Sequence, residues 1–155
     1  MGTTQGRLYF IALRSLERLE IQFVPEKIEV NRKPNVQQVE IVGLNLPKLQ
    51  HQGGGRNITL ELDFNAEDNN REDVMKKCLW LESLTYRDGP DKPAERVRLI
   101  FGRLFNRDTW MVESVKYELK NFHRSFDFLP TQAYATVTLV QDGELEPRAR
   151  DIKQL

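Results

Sequence analysis

Apolar and polar residues alternate along much of this chain. In Asn57-Ile-Thr-Leu-Glu-Leu-Asp-Phe64 the apolar set Ile58, Leu60, Leu62 and Phe64 interleaves with Asn57, Thr59, Glu61 and Asp63. A period of two puts one set on each face of a strand, so the segment predicts a half-buried antiparallel strand with one wet face. Weaker alternation runs through Leu19, Ile21 and Phe23, and imperfectly through Val36, Val39 and Ile41. Glu95–Phe101 turns Val97, Leu99 and Phe101 inward and Arg96 and Arg98 outward. In Thr109–Leu119 the phase slips between Val112 and Val115, which predicts a bulge or bend near Glu113-Ser114. Tyr134–Gln141 is β-branched and mostly apolar, as in a well-covered strand.

One stretch carries helical spacing. Val74, Cys78, Leu81 and Leu84/Thr85 line one face of residues 71–86, with Asn69 or Asn70 available as a cap. Glu72 and Asp73 fall in the first turn, where they complement the helix dipole. Arg87-Asp-Gly-Pro-Asp-Lys-Pro93 then ends the helix, because two prolines and a glycine do not continue one. Strands, one helix and more strands predict an α+β domain, mainly β, or a β-barrel with one helix packed on it. Pro47–Arg56, containing His51-Gln-Gly-Gly-Gly-Arg56, reads as a flexible connection between strands. Residues 142–155 are polar apart from Leu145, Ile152 and Leu155 and read as an extended arm after a domain of residues 1–141.

Composition narrows the chemistry. The 155 residues carry 23 Lys+Arg against 23 Asp+Glu, with one cysteine and two histidines. A single cysteine excludes an internal disulfide framework, and one thiol with two imidazoles cannot fill a four-ligand zinc site without carboxylates. Zero net charge, with no strongly biased third, argues against a general polyanion binder. No apolar run approaches 18 residues, so no membrane span is expected. The apolar stretch Leu8–Leu13 lacks a basic region before it and a small-residue cleavage site after it. It therefore predicts no signal peptide, and an intracellular origin.

Residues able to do chemistry stand apart from one another. Gly53-Gly-Gly55 precedes a strand pattern and lacks the helix and Lys-Ser/Thr pair of a phosphate loop. Cys78 lies on the apolar side of the predicted helix, as a buried hydrophobe does. His51 and His123 have no paired ligand or nucleophile motif, and His123 is placed to cap a turn. Glu61 and Asp63 would face Arg96 and Arg98 in an ion-pair ladder if those strands pair. The aromatics Tyr9, Trp80, Tyr86, Trp110 and Tyr117, if exposed, would suit base stacking. Without a basic groove they fit core and subunit contacts better.

Several short motifs follow one another along the chain: Phe23-Val-Pro-Glu-Lys-Ile28, Leu46-Pro-Lys-Leu-Gln-His-Gln-Gly-Gly-Gly55 and Leu60-Glu-Leu-Asp-Phe-Asn-Ala66. Leu79-Trp-Leu-Glu-Ser-Leu84, Arg98-Leu-Ile-Phe-Gly102, Val112-Glu-Ser-Val-Lys-Tyr117 and Ala135-Thr-Val-Thr-Leu-Val140 follow. In this order they resemble the N-terminal domain of contractile-injection-system tube and baseplate proteins. Phe101-Gly-Arg-Leu-Phe105 has Phe where the family often has Trp. The resemblance implies a tail-tube-like split β-barrel with an associated helix and extended arms. It implies no enzyme activity and no cofactor. It further implies a homo-oligomeric ring, six-fold, with tail tube protein, hub or spike protein, and baseplate wedge or sheath components as partners. DNA or cargo would pass through the lumen without specific binding, and the protein would reside in the virion or assembled particle after synthesis in the host cytoplasm. Many members continue into a LysM module that residues up to Leu155 do not contain, so 142–155 are expected to make that contact. The interface residues expected on this reading are Leu46, Pro47, Gln50, His51, Gly53, Gly54, Gly55, Arg56, Glu144, Arg148 and Arg150. Glu61, Asp63, Arg96 and Arg98 are the expected lumen or interface charges. The alternatives are a β-barrel that binds nucleic acid or a small ligand and, behind it, a hydrolase using Cys78 or His123.

Overall fold

The computed structural model describes residues 8–32, 35–39, 48–52, 56–67, 70–87, 89–90, 92–105 and 108–141; for 35–39 and 48–52 it describes the backbone. The strands are β1 (Leu8–Ala12), β2 (Arg18–Glu20), β3 (Ile28–Arg32), β4 (Asn35–Val39), β5 (Lys48–Gln52), β6 (Arg56–Asn65), β7 (Arg96–Phe101), β8 (Trp110–Phe122) and β9 (Pro130–Gln141). A helix α1 (Arg71–Ser83) lies between β6 and β7, and a 3-10 turn, Arg124–Phe126, follows β8. The chain is thus an α+β domain, mainly β.

Seven strands form one antiparallel sheet in the order β2-β1-β7-β8-β9-β6-β3, and β4 pairs with β5 separately. The sheet is not closed: β2 and β3 are its edges among the described residues, and no register joins them into the expected barrel. Its weakest seam is β7–β8, held among the described residues by Arg96↔Met111 and Val97↔Trp110. The seam divides three strands (β2, β1, β7) from four (β8, β9, β6, β3).

The period-two reading of 57–64 matches β6, where Ile58, Leu60, Leu62 and Phe64 are buried and Glu61 is exposed. On β9 the alternate residues Ala133, Ala135, Val137 and Leu139 are buried against the same core. The predicted phase slip is real: the β8–β9 register shifts between Val112 and Ser114, leaving Glu113 as the extra, exposed residue. Beyond it Val115, Tyr117 and Leu119 return to the core face. That one extra residue lets both halves of a 13-residue strand keep apolar side chains on one side.

Helix α1 packs chiefly over β9, where small Ala133 and Ala135 admit it closely, and buries Val74, Cys78 and Leu81. Asn70 occupies the cap position without a side-chain cap hydrogen bond. The helix ends three residues before the expected Tyr86. Leu84, Thr85 and Tyr86 donate their amides to carbonyls three residues back, which tightens the last turn into 3-10 form. One further expectation is corrected. Pro47–Arg56 is not irregular throughout, because Lys48–Gln52 forms β5 against Asn35–Val39. Trp110, 0% accessible, forms part of the core at the seam, in line with the core reading of the aromatics.

Candidate functional site: the uncovered sheet face

One sheet face carries α1 and the core; the other face is uncovered by any helix among the described residues. The registers give that face's pattern. Thr59 pairs with Thr138, Glu61 with Thr136 and Asp63 with Tyr134; β8 adds Ser114 opposite Thr138, Lys116 opposite Thr136 and Glu118 opposite Tyr134. Across three strands the rows therefore read Ser–Thr–Thr, Lys–Thr–Glu and Glu–Tyr–Asp. Lys116 and Glu61 sit two strands apart with Thr136 between them, roughly 10 Å by strand spacing, whereas Glu118 and Asp63 place like charges on either side of Tyr134. Gln132 Nε2 donates to Asp63 Oδ1 at 3.5 Å and to the Tyr134 hydroxyl at 3.2 Å, and the Lys120 ammonium lies 4.5 Å from the Tyr134 ring centre. The face is polar and carries both signs of charge, Lys116 and Lys120 among Glu61, Asp63 and Glu118.

The anticipated ladder between Glu61, Asp63 and Arg96, Arg98 does not form. β6 pairs with β3 and β9, whereas β7 pairs with β1 and β8, so two strands separate them. Arg98 stands opposite Ile11 of β1 and Arg96 opposite Met111 of β8. Strand order, which alternation cannot reveal, decides this.

Of the expected interface residues, Gln50 and His51 lie on β5, opposite Gln37 and Val36. Leu46, Pro47, Gly53, Gly54, Gly55, Glu144, Arg148 and Arg150 lie outside the described residues. Arg56 is anchored within the fold. Its guanidinium pairs with the Asp108 carboxylate, Gln141 Nε2 donates to Asp108 Oδ1 at 2.8 Å, and the Arg56 amide donates to Gln141 Oε1 at 3.2 Å. Asp108, 9% accessible, thereby joins the first residue of β6 to the last residue of β9. Nothing in the sequence spacing marked Asp108; burial of a lone carboxylate between strand ends becomes visible only in three dimensions.

The isolated nucleophile and base are in structural settings. Cys78 is wholly buried, and desolvation pushes its thiol up to about 11 from 9.0. His123 Nδ1 accepts from the Ser125 amide at 3.1 Å, capping the 3-10 turn as its position predicted. A groove of about 640 Å³ runs between β2 and α1, lined by Arg18, Glu20, Glu67, Asp73, Lys77 and Trp80 among others. Lys77 already pairs with Asp73 at 3.1 Å, and the Trp80 indole donates to Glu17 at 2.7 Å. Among the described residues no three His, Cys, Asp or Glu side chains gather as metal ligands. Nor is any described helix long and apolar enough to cross a membrane.

The fold and this face define a mainly β domain with one helix-covered and one polar sheet face. No protein-family model and no curated protein matches the chain. Among solved structures, a chain of the anti-feeding prophage (AFP) baseplate, determined by cryo-EM with 6-fold symmetrisation, is similar over 92% of both chains, at 13% identity and a TM-score of 0.40. A likeness at that level decides neither fold nor function here.

Proposed function

We propose that the chain is a non-enzymatic structural subunit of a contractile phage tail or related injection particle. It forms a ring, six-fold by the family resemblance, at the junction of baseplate hub and inner tube, and initiates or caps that tube. Tail tube, hub or spike, and wedge or sheath components are its neighbours, and the assembled particle is its location. The observation that supports this reading is the uncovered sheet face, where threonines, lysines and carboxylates share one polar surface. A wall of that kind offers passing DNA or cargo neither an apolar surface nor a single-sign field to grip. Sheet edges at β2 and β3 offer sister copies a way to continue the sheet.

Electron microscopy of the purified protein, alone and with its parent particle, tests the reading. Rings are expected, and Val30→Lys should abolish them while leaving the fold intact, since Val30 is half exposed on edge strand β3 and a charge there blocks edge pairing. A protein that stays dispersed under all conditions, and instead binds DNA in a salt-dependent manner, would overturn it in favour of a nucleic-acid-binding module.

A further inference from the structure

The turn joining β8 to β9 is apolar where solvent should make it polar. Phe122, Phe126 and Phe128 are 55%, 44% and 61% exposed, within seven residues of one another. Three residues of the same turn, Asn121, Asp127 and Phe128, adopt left-handed backbone with φ of 64°, 54° and 60°. A bulky aromatic residue in that region is strained by about 1–2 kcal/mol, and its exposure regains nothing.

The turn is nevertheless pinned. The His123 carbonyl accepts from the Phe126 and Phe128 amides, both at 3.1 Å, and the His123 ring meets Phe126 edge-on at 5.8 Å. The Arg71 guanidinium, from the start of α1, stacks 4.3 Å from the Phe126 ring centre and donates to the Leu129 carbonyl at 3.0 Å. Such a turn is a preorganised knob, and preorganisation lowers the ordering cost of binding.

We infer that this turn is a self-association surface, its occupant the same turn of a second copy related by a two-fold axis. Charge complementarity selects that occupant, and area sets the strength of the contact. Arg124 and Asp127 are both exposed on the turn and form no ion pair with each other among the described residues. A two-fold axis sets Arg124 of each copy against Asp127 of the other, satisfying both charges while the phenylalanines meet. Three half-exposed phenylalanines present roughly 300 Å² per copy, well under the roughly 800 Å² per partner of a stable standard interface. The contact is therefore weak alone and gains strength only when repeated, as between two rings placed face to face. The surface is separate from the sheet edges and stands or falls independently of the ring.

Sedimentation velocity of the full chain up to about millimolar concentration provides the test, with circular dichroism as the folding control. Wild type should dimerise reversibly, and Phe122→Ser with Phe128→Ser should weaken dimerisation at least tenfold without a change in fold. Arg124→Asp or Asp127→Arg alone should weaken it about five- to tenfold by placing like charges together, and the two combined should restore it to within about threefold. The doubly swapped protein should pair with itself but not with wild type. A wild type that stays monomeric, an association unchanged by the phenylalanine substitutions, or a charge swap that fails to rescue would overturn the inference. Val30→Lys should leave the dimer intact; a wild type that dimerises but forms no rings counts against edge pairing alone, and one that forms rings but not this dimer counts against this surface alone.

Discussion

The Tyr117 hydroxyl donates a 2.9 Å hydrogen bond to the Glu82 carboxylate, fastening α1 to β8 across the core face. Tyr117 occupies that face because the bulge at Glu113 sets the phase of the second half of β8. Without the extra residue Tyr117 would point away from the helix. The bond to Glu82 raises the phenol above its ordinary value of 10.0, with burial adding to the effect.

Removing either partner should loosen the helix. Tyr117→Phe is expected to cost about 1 kcal/mol in urea unfolding. Glu82→Gln should bring the Tyr117 titration, followed by ultraviolet difference absorbance, back toward 10. The folded-state value lies above the unfolded one. This contribution is therefore complete below about pH 10 and is lost as pH rises through the folded-state value.

Asp108 should matter more, because it is buried and holds two strand ends. Asp108→Ala leaves the Arg56 guanidinium and the Gln141 amide without their acceptor, at an expected cost of about 3 kcal/mol. Arg56→Ala combined with Asp108→Ala should cost clearly less than the sum of the two single changes. Strict additivity in chemical denaturation would show that the pair is not coupled.

The sequence carried β6, β7, β8 with its bulge, and α1, because each rests on a periodicity that one segment can display alone. Ile58–Phe64 alternates over four apolar positions, and Val74, Cys78 and Leu81 recur at helical spacing. Strand order was not legible: Glu61 and Arg98 look equally complementary whether their strands adjoin or are separated by β8 and β9. β1 was obscured because Tyr9 and Ile11 fill what should be the polar set, and both are half buried against neighbouring strands. The polar rows of the uncovered face were half visible. Thr59, Glu61 and Asp63 alternate in plain view, while Lys116 and Glu118 join them only after the bulge resets the phase.

Cys78 should behave as an inert core residue. With its thiol raised to about 11, a disulfide reagent at pH 8 should leave the native protein unmodified and react fully once urea unfolds it. Rapid modification of the native state would sink this placement. Stability linked to this thiol is intact below pH 9 and declines as pH rises through about 11. Cys78→Ala should be tolerated better than Cys78→Ser, which buries a hydroxyl.

The seam between the two parts of the sheet yields the last expectation. β7 and β8 share two residue pairs, and Trp110 lies at one of them, wholly buried with Phe105 edge-on at 6.0 Å. Its indole Nε1 is buried and meets no acceptor among the described residues, so the side chain is held by packing alone. Trp110→Ala removes that packing where few backbone hydrogen bonds can compensate, and should cost about 3–5 kcal/mol. Trp110→Phe keeps much of the ring and removes the orphan donor, so its cost should be smaller. The damage should also be uneven. Amide hydrogen exchange in Trp110→Ala should lose protection in β1 and β7 before β6 and β9, because β6 and β9 keep nine register pairs of their own. Simultaneous loss across all four strands would mean that the sheet opens as one unit and that the narrow seam is no weaker than the rest.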